Sequence, residues 1–165
     1  MQDRNGQLTI ESLYCLYRTG VYGYCLRMTG NRSDAEDLTQ DTFVAAMQGL
    51  HRVRSAALVK AWIYKTACHK VRRHIRRRRF AALIGYEPAG RTDGFAMVEL
   101  DIALATLSPL QREAVLLVKA EGLSLAEAAV ALGVPEGTVK TRVYDGIKRL
   151  QALETAGLAF QTEKA

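Results

Sequence analysis

The sequence predicts an all-α protein made of two small helical domains, a helical bundle and a helix-turn-helix, joined by a flexible linker. Three observations predict it. Ala, Leu and Arg are abundant, while aromatics are few and there are only three prolines, a balance that favours helix. Ser-x-x-Glu or Ser-x-x-Gln capping boxes recur at Ser33, Ser108 and Ser124, each ahead of a helical apolar pattern. Between the patterned halves, residues 80–96 carry Gly85, Pro88, Gly90 and Gly94 and no helical period.

Taken in order, residues 8–28 read as a first helix, with Leu13, Leu16, Tyr17, Val21, Tyr24, Leu26 and Met28 as apolar positions and Gly30-Asn31 as its turn. Ser33 with Glu36 opens a second helix reaching about Leu50, on which Leu38, Phe43, Met47 and Leu50 point inward. Asp37, Gln40 and Asp41 fall on a different, polar stripe of it. After a break at residues 51–55, a long basic helix covers residues 56–79, its apolar set being Leu58, Trp62, Ile63, Thr66, Val71 and Ile75. These elements make a domain of residues 1–80, followed by a linker at 81–96. The unpatterned run from residue 80, fully extended, would reach on the order of 55 Å, enough to hold two modules far apart. In the second domain, 97–155, Ser108-Pro109-Leu110-Gln111 starts a helix that stops at Gly122. Ser124 to Glu127 starts another that stops at Gly133, and a last helix runs from Pro135 to about Leu153. Residues 156–165 form a tail.

Charge points to a polyanionic partner. The net charge is +6, and no Asp or Glu lies between Thr42 and Tyr86, a stretch holding eleven of the 23 Lys and Arg residues. Just upstream, Asp34, Glu36, Asp37 and Asp41 form an acidic block. Cys15, Cys25 and Cys68 are odd in number and lack CxxC spacing, which argues against a disulfide framework or a zinc site. His51, His69 and His74 add no ligand pattern, so no metal and no cofactor is expected. The polar N-terminus is unlike a signal peptide, and no apolar run approaches a bilayer span, so a cytoplasmic protein without membrane insertion is expected.

The segment 123–150 carries the most specific pattern. Small Ala128 and Ala129, Gly133 at the turn, and inward Val139 and Val143 suit a helix-turn-helix. Its second helix then offers Thr138, Lys140, Thr141, Arg142 and Tyr144 to a major groove; an ordinary antiparallel helix pair is the plainer alternative. The basic run Lys70 to Arg79 is less specific, since such runs are commonly solvated faces or non-specific phosphate binders, and Trp62 at its start suits a core position.

Asp34-Ala35-Glu36-Asp37-Leu38-Thr39-Gln40-Asp41-Thr42-Phe43 resembles region 2.2 of the extracytoplasmic-function (ECF) sigma factors, members of the sigma-70 family. Trp62-Ile63-Tyr64-Lys65-Thr66-Ala67 with the Arg-rich helix resembles their regions 2.3 and 2.4. Leu107-Ser108-Pro109-Leu110-Gln111-Arg112-Glu113 and Gly137-Thr138-Val139-Lys140-Thr141-Arg142 resemble region 4. The resemblance implies a non-enzymatic transcription initiation factor that binds core RNA polymerase, through its β′ and β subunits, and promoter DNA. Asp37, Gln40 and Asp41 would then dock on the β′ coiled coil. Arg54, Lys60, Trp62, Lys65, His69, Arg72, Arg73 and Arg76 would melt and hold the −10 element, consistent with the cations and aromatic faces that a displaced strand needs. Thr138, Lys140, Thr141, Arg142, Tyr144, Asp145 and Lys148 would read the −35 duplex. An anti-sigma factor is an expected partner, and any hold on a membrane would run through it.

Three positions depart from the family pattern: Val53 where an aromatic is frequent, His69 where Asn is usual, and Asp145 where Arg is common. The architecture carries over, but a promoter sequence inferred from relatives does not. The larger members' extra C-terminal domain is not expected here. A helix-turn-helix regulator acting without polymerase would explain segment 123–150 but not the acidic stripe or the helix from Trp62 to Arg79. A nuclease would need a carboxylate or His constellation, a phosphate loop or metal spacing that the sequence does not show.

Overall fold

Helix ends follow local capping chemistry. In the computed structural model, which describes residues 9–53, 55–86 and 99–155, the Thr9 side chain caps α1 (Ile10–Thr29) by accepting from the Ser12 N–H. Gly30 ends α1 in the left-handed region at φ 68°. α2 (Arg32–Gly49) begins two residues earlier than the Ser33 box predicts. Asn31 caps it instead, its Oδ1 accepting from the Asp34 N–H at 2.9 Å. Asn is as good a cap as Ser, and this one is buried, so packing chooses between them. A 3₁₀ turn, Leu50–Arg52, leads to α3 (Ala56–Leu83). This helix overruns its expected end at Arg79: Ala81, Ala82 and Leu83 are good helix formers, and the first breaker is Gly85 at φ 73°. The start of the expected linker is therefore helical. Residues 87–96 of that linker, Arg54, and the expected tail 156–165 lie outside the described residues.

The second half opens with a short helix that the sequence reading did not single out, α4 (Glu99–Ala105). Arg112 closes its end, donating to the carbonyls of Leu104 and Ala105 at 2.9 Å each. α5 (Pro109–Val115) starts at the expected Ser108–Gln111 capping box and continues into a π-helical turn, Leu116–Ala120. α6 (Leu125–Leu132) starts at the expected Ser124–Glu127 box and ends on Gly133, and α7 (Glu136–Thr155) follows.

The inward assignment of Met47 needs correction, since it is 62% exposed, and of the apolar sets Leu16 is 68% and Leu58 53% exposed. The buried line of α2 runs through Ala35, Leu38, Thr39, Thr42, Phe43 and Ala46, and that of α3 through Val59, Ile63, Ala67 and Val71. Met47 and Leu58 each sit one residue off these lines.

The larger difference is tertiary. The two halves, which a long linker would allow to stand apart, pack together: α6 lies along α3, α1 touches α5, and α7 packs on both α5 and α6. Leu13, Val21, Phe43, Ile63 and Val71 of the first half and Val115, Leu117, Leu123, Ala128 and Val139 of the second belong to one continuous core. Gly146 allows the α5–α7 crossing, since a Cβ there would stand 2.6 Å from Val115 Cγ2.

Candidate functional site

Three surfaces carry the residues singled out by the sequence. On α2, Asp37, Gln40 and Asp41 are exposed, as their stripe predicts. Asp41 lies 3.9 Å from Lys70 of α3 while remaining 64% exposed, a weak surface pair. Asp34 of the same acidic block is instead drawn down onto α3, 2.6 Å from Arg78 Nη1 and 3.2 Å from His74 Nε2. The stripe continues into apolar residues that sequence reasoning did not assign to it. Val44 and Met47, with Tyr14 and Tyr22 from α1, border a groove of about 950 Å³ beside Gln40. Tyr14 stands edge-on to Phe43 there, with ring centroids 4.9 Å apart.

α3 presents two cationic faces with different fates. Lys65, His69, Arg73 and Arg76 are exposed, at the helical spacing that makes one stripe. Lys60, Tyr64 and Arg72 form another, and it faces the second half of the molecule. Lys60 Nζ donates to the Gly122 carbonyl at 3.2 Å, and Tyr64 donates to Glu121 Oε2 at 2.5 Å. Arg72 donates through Nε and Nη2 to Glu113 at 2.8 Å each, and through Nη1 to the Leu132 carbonyl at 3.1 Å. Tyr24 adds a third donor to Glu113 at 3.1 Å. The bidentate bond to Glu113 holds the Arg72 guanidinium firmly protonated, and burial pushes the Tyr24 and Tyr64 hydroxyls well above their ordinary range. Glu121 is raised by burial, with the Tyr64 bond working against that rise. Trp62 is half-buried; its ring lies against Gly49 so closely that no Cβ would fit there.

On α7, Lys140, Thr141, Tyr144, Asp145 and Lys148 are exposed along one face, with Tyr144 65% exposed. Val139, Val143 and Gly146 are buried on the opposite side. Thr138 and Arg142 are only half-exposed. Arg142 Nη1 is buried without a hydrogen-bond partner, so this side chain is turned toward the domain body and not toward the free face.

Sequence reasoning missed Glu113, Glu121, Tyr24 and Tyr64 as a set. A signal did exist for Glu113, a carboxylate just ahead of the apolar run Ala114 to Leu117. Cys25 and Cys68 are buried thiols, pushed up to about 12 by that burial, whereas Cys15 is exposed. Among the described residues no group of three His, Cys, Asp or Glu is placed to hold a metal ion, and no helix is long and apolar enough to cross a membrane.

A three-helix unit with an acidic stripe and a basic helix, followed by a helix-turn-helix with a free polar face, is the plan of a sigma-70-type factor. Residues 13–81 match Sigma-70 region 2, and residues 97–150 match Sigma-70, region 4. More narrowly, the chain belongs to the ECF RNA polymerase sigma factors, a family of transcription regulators and not of enzymes. It is 36% identical over 130 residues to the ECF sigma factor SigF of Caulobacter vibrioides, covering 75% of this chain and 73% of that protein. It is 37% identical over 118 residues to SigC of Mycobacterium tuberculosis; that match covers 66% of this chain and spans 64% of the relative's length, just under two thirds. Among solved structures it resembles the sigma factor RpoE of Bartonella quintana in complex with the anti-sigma factor NepR (TM-score 0.75, 25% identity, 88% of this chain and 96% of that one). It also resembles CnrH in complex with the cytosolic domain of CnrY (TM-score 0.69, 27% identity, 89% of this chain and 88% of that one).

Proposed function

We propose that this protein binds core RNA polymerase in the bacterial cytoplasm and directs it to promoters. The free face of α7 reads the −35 element, α3 melts and holds the −10 element, and the Asp37–Gln40–Asp41 stripe docks on the β′ subunit. The observation that carries the reading is the pairing of two separately exposed faces, acidic on α2 and groove-reading on α7, within one chain of the sigma family. The exposed Thr141, Tyr144 and Asp145 lie at the spacing of a recognition helix, flanked by Lys140 and Lys148 for phosphates. Because RpoE is seen in complex with the anti-sigma factor NepR, an anti-sigma factor is the expected regulator here as well. The groove between α1 and α2 is a fitting seat for its apolar side chains.

The test is holoenzyme assembly and promoter-dependent run-off transcription with purified core polymerase. Asp41→Arg should weaken assembly while helix content and melting stay close to wild type, since exposed substitutions cost under about 0.5 kcal/mol. Normal assembly by the charge-reversed chain would show that α2 is not the docking face. No assembly by the wild-type chain would overturn the reading itself.

A further inference from the structure

A cavity of about 370 Å³ lies where the end of α1, the last turns of α3 and the start of α5 meet. Four basic side chains line it, His74, Arg78 and Arg79 from α3 and Arg112 from α5, and among the described residues no Asp or Glu does. Arg78 bonds Asp34, outside the lining, at 2.6 Å, and His74 Nε2 lies 3.2 Å from the same carboxylate. The acceptors shown for Arg112 are backbone carbonyls, those of Leu104, Ala105 and Leu107 at 2.9, 2.9 and 3.4 Å. Its charge thus meets partial charges only, and burial works against it. Arg79 is exposed at the rim. Three guanidiniums against the one carboxylate bonded to them leave an excess of two positive charges around the space. A cleft lined by one sign of charge between low-dielectric walls concentrates ions of the other sign. Those walls are Met28, Ile75 and Pro109. The carbonyl end of α1, which would repel an anion, is closed by its own bonds. Gly30 donates to the Leu26 carbonyl at 2.8 Å, and the Thr29 hydroxyl donates to the Cys25 carbonyl at 2.9 Å.

We propose that this cavity binds a small phosphate monoester carrying a flat ring, of the nucleotide class. A monoester bears between about 1.5 and 2 negative charges at pH 7, which matches the excess around the cavity. Guanidinium groups suit it, because their planar fork gives parallel N–H donors to two phosphate oxygens. The volume stands at the small end of the range for sites that take small organic molecules, so a ring has room beside the phosphate. Met28, Ile75 and Pro109 offer that ring an apolar bed, and a guanidinium plane can stack on it. The site is distinct from the stripe assigned to promoter DNA. At roughly 100° per residue around α3, His74 and Arg78 lie about 140–180° from the middle of the Lys65–His69–Arg73–Arg76 stripe. A nucleic-acid backbone also brings one charge per phosphate, where the cavity offers a place for two. The proposal therefore stands whether or not the promoter reading holds.

Titration calorimetry on the full chain tests this, with adenosine 5′-monophosphate and phenyl phosphate as probes and circular dichroism to follow folding. Both probes should bind the wild type and raise its melting temperature as their concentration rises. Adenosine, which lacks the phosphate, should not bind. Inorganic phosphate, which lacks the ring, and a dinucleoside monophosphate, whose diester carries one charge, should each bind at least about tenfold more weakly. Arg79→Glu reverses the charge at the rim and should weaken both monoesters by at least about tenfold, the scale of one lost charge-assisted bond. Pro109→Asp places a carboxylate on the α5 side, at a first-turn position that favours acidic residues, and should weaken them as much even if Arg79→Glu folds poorly. Arg77→Glu makes the same charge change on an exposed residue of α3 outside the lining, and should leave affinity within about twofold. A wild-type chain that binds neither monoester would overturn the site. So would equal losses in the Arg77→Glu and Arg79→Glu chains, which would reduce it to general charge attraction. Inorganic phosphate binding as tightly as the monoesters would overturn the ring's part, and a diester binding as tightly would make the cavity a nucleic-acid backbone contact instead.

Discussion

α3 and α7 are both cationic amphipathic helices expected to meet DNA, yet the structure treats them differently. α7 buries one face, through Val139, Val143 and Gly146, and leaves Lys140, Thr141, Tyr144, Asp145 and Lys148 open. α3 buries Val59, Ile63, Ala67 and Val71 in its own bundle, then gives a second face, Lys60, Tyr64 and Arg72, to the neighbouring domain. Lys65, His69, Arg73 and Arg76 remain as an open stripe, and Arg77 and Arg79 near the helix end are exposed as well. A cation on a helix is therefore not available for DNA merely because it is charged. Its availability depends on what the facing domain offers, and α5 and α6 offer a carboxylate and a helix C-terminus.

The strongest way to break this contrast is to attack the buried face of α7. Gly146→Val would force a branched side chain against Val115, and overpacking of this kind costs about 1–3 kcal/mol. Melting should fall by about 2–4 °C per kcal/mol for a chain of this size with one continuous core. Lys148→Ala on the open face should leave it within about 0.5 kcal/mol. Equal melting of the two variants, followed by circular dichroism, would show that the crossing at Gly146 is not tight.

A smaller effect separates the cations of α3. In the holoenzyme, Arg73→Gln with Arg76→Gln should weaken DNA binding evenly across sequences and flatten the log–log salt slope by about 1.5, two phosphate contacts at about 0.7–0.9 each. Arg78→Gln should change the slope far less, because Arg78 already bonds Asp34 at 2.6 Å and serves the α2–α3 packing. Titrations at several salt concentrations check both. An unchanged slope in the Arg73/Arg76 variant would reduce the open stripe to a solvated face.

What could be read from the sequence divides along the same line. The Ser108 and Ser124 boxes, the Gly133 turn and the buried Val139 and Val143 were legible because they depend on neighbours three or four residues away. So was the exposed Asp37–Gln40–Asp41 stripe. Asn31 displaced Ser33 as the cap because burial decided between two adequate residues. The polar contacts between the two halves were not legible. Arg72 and Glu113 are 41 positions apart, and Tyr64 and Glu121 are 57 apart, so no local period joins them. Arg72 was assigned to the −10 element, and Glu113, Tyr64 and Glu121 were given no role of their own, because only the topology brings them together. Arg142 is a related case: its position on α7 suggests a groove contact, while one guanidinium nitrogen is buried in the domain body.

The smallest predicted effect concerns a single base position, and it asks whether the open face of α7 is truly read. Asp145 is exposed, one turn beyond Thr141 and next to Tyr144, where the family commonly carries Arg. A carboxylate cannot donate to guanine and repels phosphate, but it can accept from the N4 amine of cytosine. It also stands four residues ahead of Arg149, at the spacing where it can orient that exposed cation. Asp145→Arg replaces an acceptor by a bidentate donor and adds two units of positive charge to the face. General duplex affinity should rise, and selection should shift toward guanine at one or two positions of the −35 element. The discrimination should lie near the low end of the range for such contacts, about 1 kcal/mol or roughly fivefold, because the site is solvated. Selection of random −35 duplexes by wild-type and variant holoenzymes measures it. Indistinguishable preferences and equal affinities would mean that Asp145 faces only water, and that reading on α7 is confined to Lys140, Thr141 and Tyr144.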